Sequence, residues 1–106
     1  MSIQRRVKAT SLEEIKEIIR QNKPELKRQF HVDKIGVFGS YARRTQKKSS
    51  DIDFLVTFDE PVSYFDLGGL KTFVEELTGL ESHVVPSHNL RPEFRENILK
   101  QVKYIE

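Results

Sequence analysis

Two aspartates and a Gly-Ser pair are the residues of this chain best suited to chemistry. Asp51 and Asp53 are separated by one residue, and ten residues separate Ser40 from Asp51. On a strand, alternate side chains share a face, so the two carboxylates would lie roughly 6.5 Å apart along the backbone. That spacing lets both bind one hard cation or two neighbouring ones. If Gly39 and Ser40 begin a helix, its free N–H groups form an anion site beside the cation. A metal next to a phosphate site indicates phosphoryl or nucleotidyl transfer.

The flanking residues predict the two strands that this arrangement requires. An apolar run from Ile35 to Phe38 predicts a buried strand that ends at Gly39. Residues 52–58 predict a second strand, in which the apolar Ile52 and Phe54 alternate with the aspartates. One face of the second strand then packs on the core while the other carries the carboxylates. The spacing alone is also compatible with a solvated acidic pair at the start of a strand.

Four basic residues lie between the Gly-Ser pair and the aspartates, with no acidic residue among them: Arg43, Arg44, Lys47 and Lys48. Beside a metal site such a cluster can neutralise a triphosphate. Arg43 and Arg44, on the predicted helix, are the expected contacts, and the alternative is a solvated basic face without a ligand. A nucleic-acid partner is not expected, because lysine and arginine exceed aspartate and glutamate by only two.

The segment GSYARRTQKKSSDIDFLVTF resembles the signature of the minimal nucleotidyltransferase (MNT) family, a branch of the DNA polymerase β-like nucleotidyltransferase superfamily. The family pattern is Gly-Ser, ten residues and Asp-x-Asp, and this chain matches it without a gap. The resemblance continues through an apolar helix around 64–78, a third strand around 82–85 and a last helix around 91–104. It implies a polymerase β-like α/β (α+β) fold, with a small mixed sheet and helices mainly on one face.

One position departs from the family. Its members carry a third acidic residue on the strand after the second helix, and here His83 stands in that place. Histidine is a poor ligand for Mg²⁺, which prefers oxygen donors. His83 can instead act as the base for the attacking hydroxyl, and Glu81, two residues earlier, is the alternative.

The resemblance also implies an activity and a partner. MNT proteins resemble antitoxins that act on HEPN-domain ribonuclease toxins by transferring AMP from ATP to a toxin tyrosine. By that resemblance Asp51 and Asp53 hold Mg²⁺, with Mn²⁺ as a second choice, and are catalytic together with His83. Gly39, Ser40, Arg43 and Arg44 bind the phosphates of ATP. A HEPN toxin is the expected partner.

Two other functions compete with this interpretation. Because His83 replaces a carboxylate, the chain can be a catalytically weak or inactive module that binds a nucleotide and blocks its partner by occlusion. A free-standing transferase that acts on RNA or an antibiotic is less favoured, since 106 residues show no acceptor site and no aromatic stacking platform beside the basic cluster.

Length and composition set the remaining expectations. A chain of 106 residues predicts a single domain over 1–106. It contains no cysteine, no apolar run of membrane-span length, and no signal-peptide pattern in residues 1–14. We therefore expect a cytoplasmic protein without a membrane partner.

Overall fold

A computed structural model describes residues 8–106 as helices packed on a four-stranded mixed sheet. Residues 1–7 lie outside the described residues. The prediction that residues 1–14 hold no signal peptide falls partly on them. The helices are α1 (Leu12–Gln21), α2 (Lys23–Phe30), α3 (Ser40–Arg43), α4 (Tyr64–Thr78) and α5 (Pro92–Gln101), and the strands are β1 (Val32–Phe38), β2 (Ile52–Phe58), β3 (Ser82–Pro86) and β4 (Lys103–Tyr104). The strand order is β3-β2-β1-β4. β1 is antiparallel to β2 and β4, and β2 is parallel to β3. The predicted mixed α/β fold is confirmed.

The main core lies between one face of this sheet and helices α1, α2 and α4. Alternate residues of the two central strands supply one side of it, as the period of a strand requires. The fully buried members are Ile35, Val37, Ile52, Phe54 and Val56 from the strands and Ile15, Ile19, Leu70 and Val74 from the helices. Helices therefore cover mainly one face, as predicted. On the other face of β2, Leu55 is also buried, and Asp53, near the start of the strand, is the partly exposed side chain available to a site.

Side-chain caps fix where two of the covering helices begin. The Ser11 hydroxyl accepts from the Glu14 N–H at the start of α1, and Glu14 in turn accepts from the N–H and hydroxyl of Thr10. In α4, Ser63 and Asp66 form a reciprocal capping box. None of the helices described over residues 8–106 combines the length and apolar character needed to cross a membrane.

The prediction for the last helix is wrong at its C-terminal end. The sequence predicts a helix to about residue 104, but α5 ends at Gln101 and residues 103–104 form β4. β4 pairs with Gly36 and Val37 of β1, and a Cβ at Gly36 would lie only 2.7 Å from Val102 Cγ2. Only glycine lets β4 approach so closely, because any side chain would occupy that space.

Candidate active site

The two predicted aspartates converge on the predicted histidine. Asp53 is the second residue of β2 and pairs in register with His83 of the parallel strand β3. The Asp53 Oδ1 lies 2.9 Å from His83 Nδ1, and the Asp51 Oδ2 lies 3.5 Å from His83 Nε2. Each carboxylate thus faces a different nitrogen of one imidazole. All three side chains are partly open to solvent, Asp53 least at 25% exposed.

The Gly-Ser pair lies against the same carboxylate. Gly39 caps α3, whose first residue is Ser40, so the pair begins a helix as predicted. A Cβ at Gly39 would lie 2.2 Å from Asp53 Oδ2 and 3.2 Å from its Cγ. The Asp53 carboxylate therefore packs directly on the Gly39 Cα. This contact brings the acid next to the N-terminal end of α3, where free N–H groups favour negative charge.

The donor set suits a hard divalent cation only in part. Carboxylate oxygens are good Mg²⁺ ligands, whereas an imidazole is a poor one. Within residues 8–106, the one set of three ligand atoms that all lie within 4.8 Å of one another belongs to His31, Asp59 and Glu60. Asp51, Asp53 and His83 are not such a set, since the His83 ring lies between the two carboxylates. The two aspartates are the members of this group whose oxygens could hold a metal.

The two predicted arginines lie in different surroundings. Arg44 forms an ion pair with Glu13 of α1, which raises the pKa of the guanidinium and lowers that of the carboxyl. Arg43 instead donates from Nη1 to the side-chain oxygen of Gln101, at 2.8 Å. Across the described residues 8–106, Arg43 has no carboxylate partner, so its charge is uncompensated. The geometry favours Arg43 over Arg44 as a phosphate ligand, and both roles stay predictions.

Two residues near the site were not singled out by sequence reasoning, Lys71 and Gln101. The Lys71 ammonium of α4 donates to Glu75, and this bond, with the charges of Glu75, Glu81 and Asp51, raises the Lys71 pKa. Glu75 also accepts from the Ser82 N–H at the start of β3, so the packing of α4 on β3 places Lys71 there and the sequence holds no local signal for it. The Glu81 side chain is exposed, while its backbone carbonyl accepts from the Ile52 N–H.

The set of three close ligand atoms lies at the other end of the same two strands. His31 precedes β1 and Asp59 follows β2, with Glu60 next to it. His31 Nε2 is 3.5 Å from Glu60 Oε1, and Lys27 Nζ lies 3.3 Å from Asp59 Oδ2. Because the Lys27 ammonium already compensates Asp59, this exposed group is best described as an ion-pair network of the surface.

Tyr41, which directly follows the Gly-Ser pair, packs into the core. Its side chain is 3% exposed and belongs to the main hydrophobic cluster. Burial, and to a lesser degree the charge of Asp51, raises the pKa of its hydroxyl. The Tyr41 ring therefore packs in the core beneath α3.

The fold and the site together define a class of protein. A sequence model of the family described as the nucleotidyltransferase domain matches residues 12–105. The chain belongs to this family, within its minimal nucleotidyltransferase branch, as the sequence motif predicted.

Known relatives cover nearly the whole chain. Protein adenylyltransferase MntA of Thermococcus cleftensis is 39% identical over 95 residues, which are 90% of this chain and 96% of that protein. A provisionally named protein adenylyltransferase of Methanocaldococcus jannaschii is 38% identical over 96 residues, 90% of this chain and 98% of the relative.

Solved structures show the same fold. A structure provisionally described as a minimal nucleotidyltransferase superposes with a TM-score of 0.74 at 31% identity and covers 89% of this chain and 95% of its own. A crystal structure of a toxin–antitoxin with AMP-PNP, 20% identical, gives a TM-score of 0.68 over 82% of this chain and 72% of that one. At that identity the second likeness shows a shared fold alone.

Proposed function

We propose that the protein is a metal-dependent protein adenylyltransferase that transfers AMP from ATP to a tyrosine hydroxyl of a HEPN toxin partner and so acts as an antitoxin. The observation that carries the proposal is that Asp51 and Asp53 converge on His83 while the Asp53 carboxylate packs on Gly39 at the start of α3. The relative named protein adenylyltransferase MntA supports the reaction. The shared fold with toxin–antitoxin structures supports the class of partner.

In this proposal the acidic side chains bind the metal, and the hydrogen-bond donors and the arginine bind the phosphates. Asp51 and Asp53 hold the Mg²⁺ ions, which when bound neutralise charge on the phosphates. Ser40, which the Gly39 turn presents, binds phosphate oxygens through its N–H and hydroxyl groups, and Arg43 adds a positive charge with no carboxylate to cancel it among residues 8–106. These donors are fixed before the reaction, so they stabilise the negative charge that develops in the transition state.

In this proposal AMP is transferred by an in-line displacement at the α-phosphorus of ATP. The acceptor hydroxyl oxygen forms a bond to the α-phosphorus, the bond between that phosphorus and the bridging oxygen breaks, and pyrophosphate leaves. The hydroxyl proton goes to a base, for which His83, in register with Asp53 on the adjacent strand, is the leading candidate. Glu81, whose side chain is exposed two residues earlier, is the alternative base.

AMP transfer to the partner tests the proposal. The protein is incubated with labelled ATP, Mg²⁺ and the product of the neighbouring gene, which is the expected HEPN toxin, and label on that product is followed. Asp51→Ala with Asp53→Ala should abolish labelling. Asp33→Ala is a matched control, because Asp33 is exposed on β1 and distant in register from the site. Undiminished labelling by the double variant would refute the proposal.

The second candidate is an inactive module that neutralises its toxin by occlusion. It is favoured by one observation, the His83 ring lying between the two carboxylates where the family carries a third acid. Toxin inhibition by the Asp51→Ala, Asp53→Ala variant, with a stable complex and no labelled toxin, would select this function over the first.

A further inference from the structure

Gln101 joins the last turn of α5 to the start of α3. Its Oε1 accepts from the Gly39 N–H at 3.0 Å and from Arg43 Nη1 at 2.8 Å. Its Nε2 donates to the Asn97 carbonyl at 3.4 Å, which sets the orientation of the amide. One side-chain oxygen thus binds both the Gly39 backbone, on which the Asp53 carboxylate packs, and the Arg43 guanidinium.

The residues that follow Gln101 anchor it through their backbone hydrogen bonds to β1. Residues 103–104 pair with β1 at Gly36 and Val37, and the Ile105 N–H donates to the Ile35 carbonyl at 2.9 Å. The close contact at Gly36 leaves β4 little room to shift. The end of α5 is therefore anchored on the strand whose C-terminal end carries Gly39.

The chemistry of the amide matters as much as its position. An arginine side chain has many rotamers, and fixing it costs conformational entropy on binding. Gln101 fixes Arg43 in advance, and because an amide is neutral, it leaves the full positive charge available to an anion. By contrast, Glu13 both fixes and neutralises Arg44.

We propose that Gln101 is a positioning residue for nucleotide binding: anchored on the Gly39 N–H, it holds Arg43 ready to receive the phosphates of the incoming nucleotide. The proposal rests on the nucleotidyltransferase function proposed above and adds a residue to which neither the sequence motif nor that function assigns a role. Gln101 does not touch the reacting atoms, so it acts through Arg43 on binding rather than on the chemical step.

Nucleotide titration and kinetics test this role. Gln101→Leu keeps the size of the side chain but removes the acceptor, and it should raise the Kd for ATP with Mg²⁺ and the KM for ATP by about fivefold to tenfold. The kcat should stay within about twofold. Gln101→Glu retains oxygen acceptors for both donors but partly neutralises Arg43, so its affinity should lie between those of Gln101→Leu and the wild type. Gln21→Leu is the matched control, because it makes the same change at an exposed glutamine whose side chain donates to Glu17 of its own helix α1, and it should bind like the wild type.

A double-mutant cycle separates positioning from a purely structural role. In an Arg43→Ala background, Gln101→Leu should cause little further loss of affinity, since the group it positions is absent. An additive loss, an unchanged or tighter Kd for Gln101→Leu alone, or no recovery in Gln101→Glu would each overturn the proposal. If Gln101→Leu binds normally while the double aspartate variant loses AMP transfer, this inference fails and the proposed function stands. A wild-type protein that binds no nucleotide would overturn both.

Discussion

Replacing Gly39 by alanine should damage both the stability of the protein and its site. Gly39 has φ of +75° and ψ of −153°, a region that is essentially restricted to glycine. Forcing another residue there costs about 1–3 kcal/mol. The new Cβ would also lie 2.2 Å from Asp53 Oδ2. Since no side-chain atom tolerates that distance, the carboxylate must rotate away from α3.

The two effects give separate measurable losses. A cost of about 2 kcal/mol corresponds to a fall in Tm of roughly 8–16 °C for a domain of this size. Rotation of the carboxylate removes its 2.9 Å contact with His83 and its contact with Gly39 at the start of α3. AMP transfer should therefore fall to background even at temperatures where the variant is fully folded. Thermal unfolding followed by circular dichroism and the labelled-ATP assay measure the two losses independently.

Gly68→Ala is the matched control, because it makes the same chemical change elsewhere. Gly68 lies inside α4, and a Cβ there meets no atom within 4 Å. Alanine is the better helix residue, so this variant should gain about 0.5–1 kcal/mol in the free energy of unfolding and keep its activity. The reasoning is refuted if Gly39→Ala unfolds at the wild-type temperature and still transfers AMP. A stability loss with full activity would show that Gly39 serves the backbone alone.

Three further variants probe other parts of the structure. His83→Asp supplies the carboxylate that the family carries, so calorimetry should show tighter Mg²⁺ binding than in the wild type, and weaker binding would contradict the assignment of the site. Phe54→Ala empties a fully buried position and should lower the free energy of unfolding by about 3–5 kcal/mol in guanidinium titrations; a cost below 1 kcal/mol would show that Phe54 is not a core residue. Burial raises the pKa of Glu75, but its bonds with Lys71 and the Ser82 N–H outweigh this and hold it below the ordinary value. Because the folded pKa is lowered, the stabilising effect is complete above the unfolded pKa of about 4.3 and is lost as the pH falls through the folded value. Glu75→Gln should therefore be less stable than the wild type at pH 7, with a difference that shrinks in acid, and a difference independent of pH would refute the linkage.

The sequence predicted the features of the site that depend on local spacing. Alternation of apolar residues with Asp51 and Asp53 defined both the strand and its two faces, because side chains on a strand alternate. The Gly-Ser pair follows a buried apolar run and begins a helix, and residues next to the pair in the sequence indicate both the strand and the helix. These features need no knowledge of how distant strands pair.

The features that the sequence did not predict depend on pairing between distant segments. The contact of His83 with both aspartates requires the register of β3 against β2, and a shift of one residue would turn the imidazole to the opposite face. Gln101 reaches Gly39 only because β4 forms, and β4 has two residues, too few for a periodic signal. The glycine at position 36 was the available clue, since glycine inside a strand often marks the close approach of another backbone.

The parallel pairing of β2 and β3 has a consequence for the order in which the site assembles. Antiparallel β1 and β2 bring Gly39 and both aspartates together from residues 39–53, whereas His83 lies 30 residues beyond Asp53 and comes into contact only after α4 has crossed over. Contacts between distant residues form more slowly and open more readily, because closing a longer loop costs more entropy. We therefore expect the acidic pair and its turn to form early in folding and the histidine to join them last. A local opening that detaches β3 alone would free both carboxylates for a cation without unfolding the strands that carry them.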